Sequence, residues 1–281
     1  VHVLIAGIGW LGREIARSLV SEGHRVTGVR RRAEGQARLV ELGAEPVVAD
    51  LTDPRAHEHL PRDVDAVIAC PAAGGGDLAS YRSAYVEVNR TLLAWARDRS
   101  IGAYVYTSST GVFGYDDGRD VDERTPTLAV APTAEVLVEA ERLVLEGGGR
   151  VVRLSGLYGP DRYGIVDRVR RGALALGPGD ETWMNFCHRA DAAAFVVAAL
   201  GRGRDGAVYH GSDAEPARRR DVVTWIANRL GIPPPVASAD STRLPGGRRG
   251  ADRRVLSEKT RAELGVALRF PSFREGLEAA I

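Results

Sequence analysis

Val1-His2-Val3-Leu4-Ile5-Ala6, followed at once by Gly7-Ile8-Gly9-Trp10-Leu11-Gly12, decides the fold. The first six residues read as a buried strand and the next six as a G-x-G-x-x-G turn. A helix comes next, over about residues 13–22. Strand, glycine turn and helix in that order form the dinucleotide-binding fingerprint. Gly7 lets the chain turn tightly, and Gly9 has no side chain to hold off a pyrophosphate. Gly12 lets the helix lie close to the strand. Trp10 and Leu11 belong to the same turn, where free N–H groups and the positive end of the helix face an anion. The competing reading is a glycine-rich turn that merely packs well.

Outward from this turn, apolar strands and helices alternate. Strands are expected at residues 25–29, 45–49, 65–70, 103–107 and 150–154, with helices at 33–42, 80–99 and 133–146. The run Gly147-Gly148-Gly149 fits a helix C-terminus. This alternation predicts an α/β fold, a Rossmann-type doubly wound parallel sheet with helices on both faces and a small C-terminal substrate lobe. Residues 1–155 form the expected dinucleotide-binding core, and 156–281 a mixed segment that returns to the core and builds the lobe. Helices are expected there at 221–230 and 257–264. Ligands bind beyond the carboxyl ends of such strands. One cleft should therefore gather the residues just after Ala6, Val29, Ala49, Ala69, Thr107 and Leu154.

The 281 residues carry a formal net charge of +1, which argues against a general nucleic-acid binder. No apolar run approaches a membrane span, and no basic region followed by an apolar stretch and cleavage site opens the chain. Two cysteines, Cys70 and Cys187, make no disulfide framework, and no Cys/His cluster has metal-ligand spacing. A cytoplasmic location is the expectation. Lys259 is the single lysine, so 37 of the 38 Lys and Arg side chains are arginine.

The motifs resemble the extended short-chain dehydrogenase/reductase family, the NAD-dependent epimerase/dehydratase group, along nearly the whole chain. They include the glycine turn, Asp50-Leu51-Thr52-Asp53, Asn89, Thr107-Ser108-Ser109-Thr110-Gly111, Glu123-Arg124-Thr125-Pro126, Arg153-Leu154-Ser155-Gly156-Leu157-Tyr158-Gly159-Pro160 and His188-Arg189-Ala190-Asp191. One departure is as informative as the match. The family's chemistry rests on a tyrosine and, four residues later, a lysine. Here those positions hold Thr133 and Leu137, and the single lysine excludes a Tyr-x-x-x-Lys pair anywhere. A leucine cannot lower a hydroxyl pKa, and a threonine is a poor acid at neutral pH. The resemblance is therefore to the family's atypical branch. It leaves room for a homodimer through the helices at 80–99 and 133–146, whose apolar stripes serve a monomer core equally well.

A carboxylate at the end of strand two would favour NAD(H); arginine there accommodates the extra phosphate of NADP(H). The strand ends Val29-Arg30-Arg31-Arg32, so Arg30 and Arg31 favour NADP(H) over NAD(H). By resemblance, Asp50 and Leu51 flank the adenine, and Cys70, Pro71 and Ala72 line the pyrophosphate and ribose. Thr107, Ser108, Leu154 and Gly156 complete the cofactor set. Ser109 matches the family's catalytic serine, a donor to a carbonyl oxygen; the alternative is a strand-end serine bonded to backbone. Thr133 is a second donor or, preferably, a helix N-cap. The replacement acid is sought among Tyr81, Tyr85, Tyr115, Tyr158 and His188. His188 has a suitable ordinary pKa, but the family commonly uses that position structurally. The basic stretch Gly246-Gly247-Arg248-Arg249-Gly250-Ala251-Asp252-Arg253-Arg254 reads as a solvated loop or as a grip on an anionic substrate. Trp183, Met184 and Phe186 floor a pocket or join the lobes.

The expected activity is NADP(H)-dependent oxidoreduction of a small carbonyl or alcohol, with no metal. The rivals are an epimerase or dehydratase using the nucleotide transiently, and a non-catalytic NADP(H)-binding sensor or scaffold.

Overall fold

The computed structural model describes residues 1–97, 99–174, 176–177, 180–235 and 251–281, with Pro54 described in its backbone only. Seven strands build the main sheet: β1 (His2–Ala6), β2 (Arg25–Arg30), β3 (Glu45–Val48), β4 (Ala66–Ala69), β5 (Ala103–Ser109), β6 (Arg150–Leu154) and β7 (Val208–Gly211). Their order is β7-β6-β5-β4-β1-β2-β3, and every pairing is parallel. The order reverses between β1 and β4, which opens a crevice at their carboxyl ends.

Alternation along the strands sorts the core into two layers. Val3 and Ile5 face Ile15, Leu19, Leu39 and Phe195, from the helices Trp10–Ser21, Gln36–Glu41 and Arg189–Arg202. Leu4 and Ala6 face the other way, toward Leu92, Trp95, Val136 and Val144 of the helices Val88–Arg97 and Pro132–Glu146. A third apolar cluster holds the lobe, with Tyr158, Val166, Phe186, Val223 and Phe273 among its members. No helix among the described residues is long and apolar enough to cross a membrane.

The doubly wound parallel sheet is as the sequence predicts, but several boundaries differ. The first helix begins at Trp10, so the last residues of the glycine turn are already helical. The expected helix at 80–99 is composite: Leu78–Tyr81, a π-helical stretch Arg82–Glu87, and Val88–Arg97. Asn89 stabilises the irregular stretch, donating from Nδ2 to the Tyr85 carbonyl at 2.7 Å while Oδ1 accepts from the Tyr104 hydroxyl at 2.6 Å. β7 carries no sequence signal. It is a four-residue strand with a fully buried histidine, His210, and owes its place to pairing with β6.

The reading of the basic stretch as a solvated loop needs correction where the chain is described. Residues 246–250 lie outside the described residues. Arg253–Val255 is a strand paired with Arg119–Val121, and the buried Arg253 donates to the Thr110 carbonyl at 2.6 Å.

Candidate active site

A cleft of about 1770 Å³ runs along the carboxyl edge of the sheet. Its first wall is the glycine turn. Gly7 has φ +96, and a Cβ there would stand 2.2 Å from the Cys70 carbonyl oxygen. A Cβ on Gly12 would meet the Gly7 oxygen at 2.4 Å, whereas one on Gly9 would enter open space. The outer glycines are thus required by the fold, and the middle one leaves room for a ligand. The helix after the turn has no side-chain cap and no acidic residue in its first turn. Its N–H groups are left for an anion.

Every sequence-predicted cofactor residue lines this cleft: Gly7, Gly9, Trp10, Leu11, Gly12, Arg30, Arg31, Asp50, Leu51, Cys70, Pro71, Ala72, Thr107, Ser108, Leu154 and Gly156. Arg32 lies there too. Asp50 accepts from the Thr52 N–H and hydroxyl at 3.0 and 2.8 Å, which with the nearby Arg31 holds its carboxyl below the usual range. Burial pushes the Cys70 thiol up to about 11, so it is an apolar wall rather than a nucleophile. The hydroxyl of Ser155, also in the lining, is buried and has no hydrogen-bond partner among the described residues. An open glycine, uncapped N–H groups, an orphaned hydroxyl and arginines at the end of β2 fit a dinucleotide.

Ser109 and Thr133 face the same cleft. Ser109 Oγ accepts from the Gly111 N–H at 3.1 Å, the backbone bond expected of a strand-end serine, and its own proton remains to donate. Thr133 is not the expected cap. Pro132 takes the first helical position, Ala131 is the N-cap residue, and no side chain caps the turn. Thr133 is therefore inside the helix, with Leu137 one turn on in the same lining.

Two expected catalytic candidates lie elsewhere, and both readings are corrected. Tyr158 is buried against Phe186 and Phe273, with its hydroxyl directed at the Ser272 carbonyl, 3.5 Å away. His188 is the N-cap of Arg189–Arg202: its Nδ1 accepts from the Ala190 N–H at 3.2 Å, and its ring lies 3.8 Å from Phe270. Burial, with Arg189 and Arg269 nearby, pushes it down to about 4, so it is neutral and structural at neutral pH. Neither residue lines the cleft. Tyr115 donates to the Pro126 carbonyl at 3.0 Å and is also outside the lining.

Tyr81 and Tyr85 remain, and both line the cleft. The half-buried Tyr85 hydroxyl accepts from the Ala73 N–H at 3.4 Å. Burial raises its pKa and this N–H opposes the rise. Ser108, in contrast, is committed to structure: its hydroxyl donates at 2.6 Å to Glu141, which also pairs with Arg153. Trp183, Met184 and Phe186 line the far end, together with Phe113, Val130, Leu157, Ile165 and Leu174. Arg162 and Arg168 also reach the lining, although no sequence motif singles them out.

The chain is similar to known proteins in sequence and in fold. The family described as NAD dependent epimerase/dehydratase matches residues 3–210. The chain is 28% identical to a 4-hydroxy-2-methyl-3-oxo-4-farnesyl-3,4-dihydroquinoline-1-oxide ketoreductase of Stigmatella aurantiaca, over 97% of this chain and 93% of that one. It is 30% identical to a 2-alkyl-3-oxoalkanoate reductase of Stenotrophomonas maltophilia, over 82% and 76%. A functionally unknown conserved protein from Silicibacter pomeroyi has a similar solved structure, with a TM-score of 0.79 and 29% identity over 99% of this chain and 97% of that one.

Proposed function

The chain belongs to the NAD-dependent epimerase/dehydratase family, and on that premise we propose that it is an NADP(H)-dependent reductase of ketones carried on an apolar chain. The observation that carries this reading is the contrast within one cleft. Ser109 and Thr133 set two hydroxyls among Phe113, Leu137, Leu157, Ile165, Leu174 and Met184, and Val130 remains 62% exposed while lining the cleft. Such a surface suits an alkyl or prenyl chain with one polar reacting group. The ketoreductase and the oxoalkanoate reductase carry names that join a ketone to such a chain.

Arg30, Arg31 and Arg32 come directly after Val29, with no carboxylate before Glu34, and this supports NADP(H). The glycine turn and Arg30 would hold the dinucleotide, which when bound would supply the hydride for the carbonyl carbon. Ser109 donates to the carbonyl oxygen where negative charge develops, and Thr133 stands as a second donor. Tyr85 is the proton source in this reading. Its hydroxyl already accepts the Ala73 N–H, a bond that stabilises the phenolate left after transfer. The backbone thus takes part of the charge-stabilising role that Leu137 cannot perform.

Leu137 also favours a second reading, a protein that binds NADP(H) without turnover. Incubation with NADPH and a series of 2-alkyl-3-oxo acids of increasing chain length separates the two. The reductase reading expects nicotinamide oxidation with kcat/KM rising about 3- to 4-fold per added methylene until the cleft is filled. Tight NADPH binding without oxidation across the series would support the non-catalytic reading.

A further inference from the structure

The turn Gly159-Pro160-Asp161-Arg162 crosses from the second half of the chain to the first helical turn after the glycines. The Trp10 indole N–H donates to the Pro160 carbonyl at 2.8 Å, and the Arg162 guanidinium stands 4.7 Å from the Trp10 ring centroid. We propose that Arg162 clamps the diphosphate of the bound dinucleotide, held in place for it by Trp10. This rests on the dinucleotide reading and adds to it a residue outside the glycine turn.

Three observations support the clamp. The turn is fixed. Arg162 N donates to the Gly159 oxygen at 2.8 Å, and a Cβ on Gly159 would stand 3.1 Å from His188 Nε2 and 3.2 Å from Arg189 Cβ. Asp161 is in the left-handed region at φ 67, which aspartate tolerates better than most residues. His188 therefore backs this turn.

The charge is also available. Arg189 also lies 5.0 Å from the centroid of the same indole, but it pairs with Glu14 at 3.1 Å, a carboxylate it shares with Arg17 at 2.5 Å. Arg162 makes no ion pair among the described residues and lines the cleft beside Gly9, Trp10 and Leu11. A guanidinium stacked on an indole keeps its donor edge free, and its fork matches two phosphate oxygens. Helix N-terminus and guanidinium place two positive sources at one spot, an arrangement that an anion relieves.

Finally, the turn runs directly into the helix Gly164–Arg170, from which Ile165 and Arg168 line the cleft. Closing Arg162 on the diphosphate would set this part of the substrate wall, so the dinucleotide should bind before the ketone.

The test is calorimetric titration of wild-type protein, Arg162→Ala and Arg162→Lys with NADPH, NADH, ADP and adenosine. Arg162 is exposed, so unchanged thermal midpoints and circular dichroism are expected for both variants. Arg162→Ala should weaken NADPH, NADH and ADP alike by about 10- to 100-fold, leave adenosine unchanged, and lower the salt dependence of binding. Arg162→Lys should fall between, since it keeps the charge and loses the fork. Wild-type affinity for ADP in Arg162→Ala would overturn the clamp while leaving the dinucleotide reading intact. A wild-type protein that binds none of the diphosphates would overturn both.

Discussion

Glu141→Ala offers a quantitative test of how the carboxyl edge of the sheet is held. Glu141 is 3% exposed. It accepts from Arg153 Nη2 at 2.7 Å and Nε at 3.0 Å, and from the Ser108 hydroxyl at 2.6 Å. Arg153 is itself buried, with its guanidinium 4.9 Å from the Phe113 ring centroid. Removing the carboxylate leaves a buried cation and a buried hydroxyl without their partner. Breaking a buried pair costs about 3–5 kcal/mol, and stranding the hydroxyl about 1 more. The two losses share one partner and are not fully additive, so the expected loss is about 3–5 kcal/mol. Against a total stability of about 5–15 kcal/mol this is large, and Tm should fall by roughly 6–20 °C. Urea unfolding followed by circular dichroism measures it. Glu141→Leu combined with Arg153→Met removes both charges and should recover to within about 2 kcal/mol of wild type. A loss below about 1 kcal/mol in Glu141→Ala, or a double variant as weak as the single, would refute this account of the strand ends.

Other expectations concern the cofactor, the acid and pH. Replacing Arg30 and Arg31 by serine should weaken NADPH by about 10- to 100-fold and NADH by less than about 3-fold; equal losses in a titration would remove these residues from phosphate recognition. Tyr85→Phe should lower kcat by about 100-fold or more with NADPH affinity unchanged, whereas Tyr158→Phe should keep kcat; full turnover in Tyr85→Phe would rule out Tyr85 as the acid. Stability should fall on both sides of neutrality. Burial, with the charges of Glu215 and Asp191, pushes Asp213 up to about 8, and neither of its carboxyl oxygens has a side-chain partner among the described residues. Its folded form holds the proton, so its contribution is full below the ordinary carboxylate range and is lost as pH rises through about 8. His188 and His210 are both pushed down to about 4, so their contribution is lost as pH falls from the ordinary imidazole range through about 4. Denaturation midpoints across this range check both limbs. Asp213→Asn should flatten the alkaline one, and an unchanged alkaline slope would contradict its assignment.

The sheet and its cofactor edge were legible because their physics is local. The glycine turn is dictated by contacts of under 3 Å around Gly7 and Gly12, and no other residue type fits. The strands of the first half carry continuous apolar runs. β7 was not legible, since Val208–Gly211 is short and its buried His210 is settled by packing against Phe113 and the Leu256 carbonyl. Tyr158 and His188 misled because their motifs come after β6 and before a helix, as site residues often do. Their side chains instead pack on aromatic neighbours, Tyr158 on Phe186 and His188 on Phe270. Thr133 misled through its neighbour, for Pro132 at the first helical position moves the cap back to Ala131. Arg162 had no local signal. It is positioned through Trp10, about 150 residues earlier in the chain.

The central claim is that the cleft binds NADP(H) for carbonyl reduction. It is tested most directly by parallel titration of the wild-type protein with NADPH and NADH, with a long-chain 2-alkyl-3-oxo acid then added to the NADPH complex. Saturable binding of both nucleotides is expected, at least about tenfold tighter for NADPH, followed by oxidation of the bound nicotinamide. Tighter binding of NADH, or no binding of either, would contradict it.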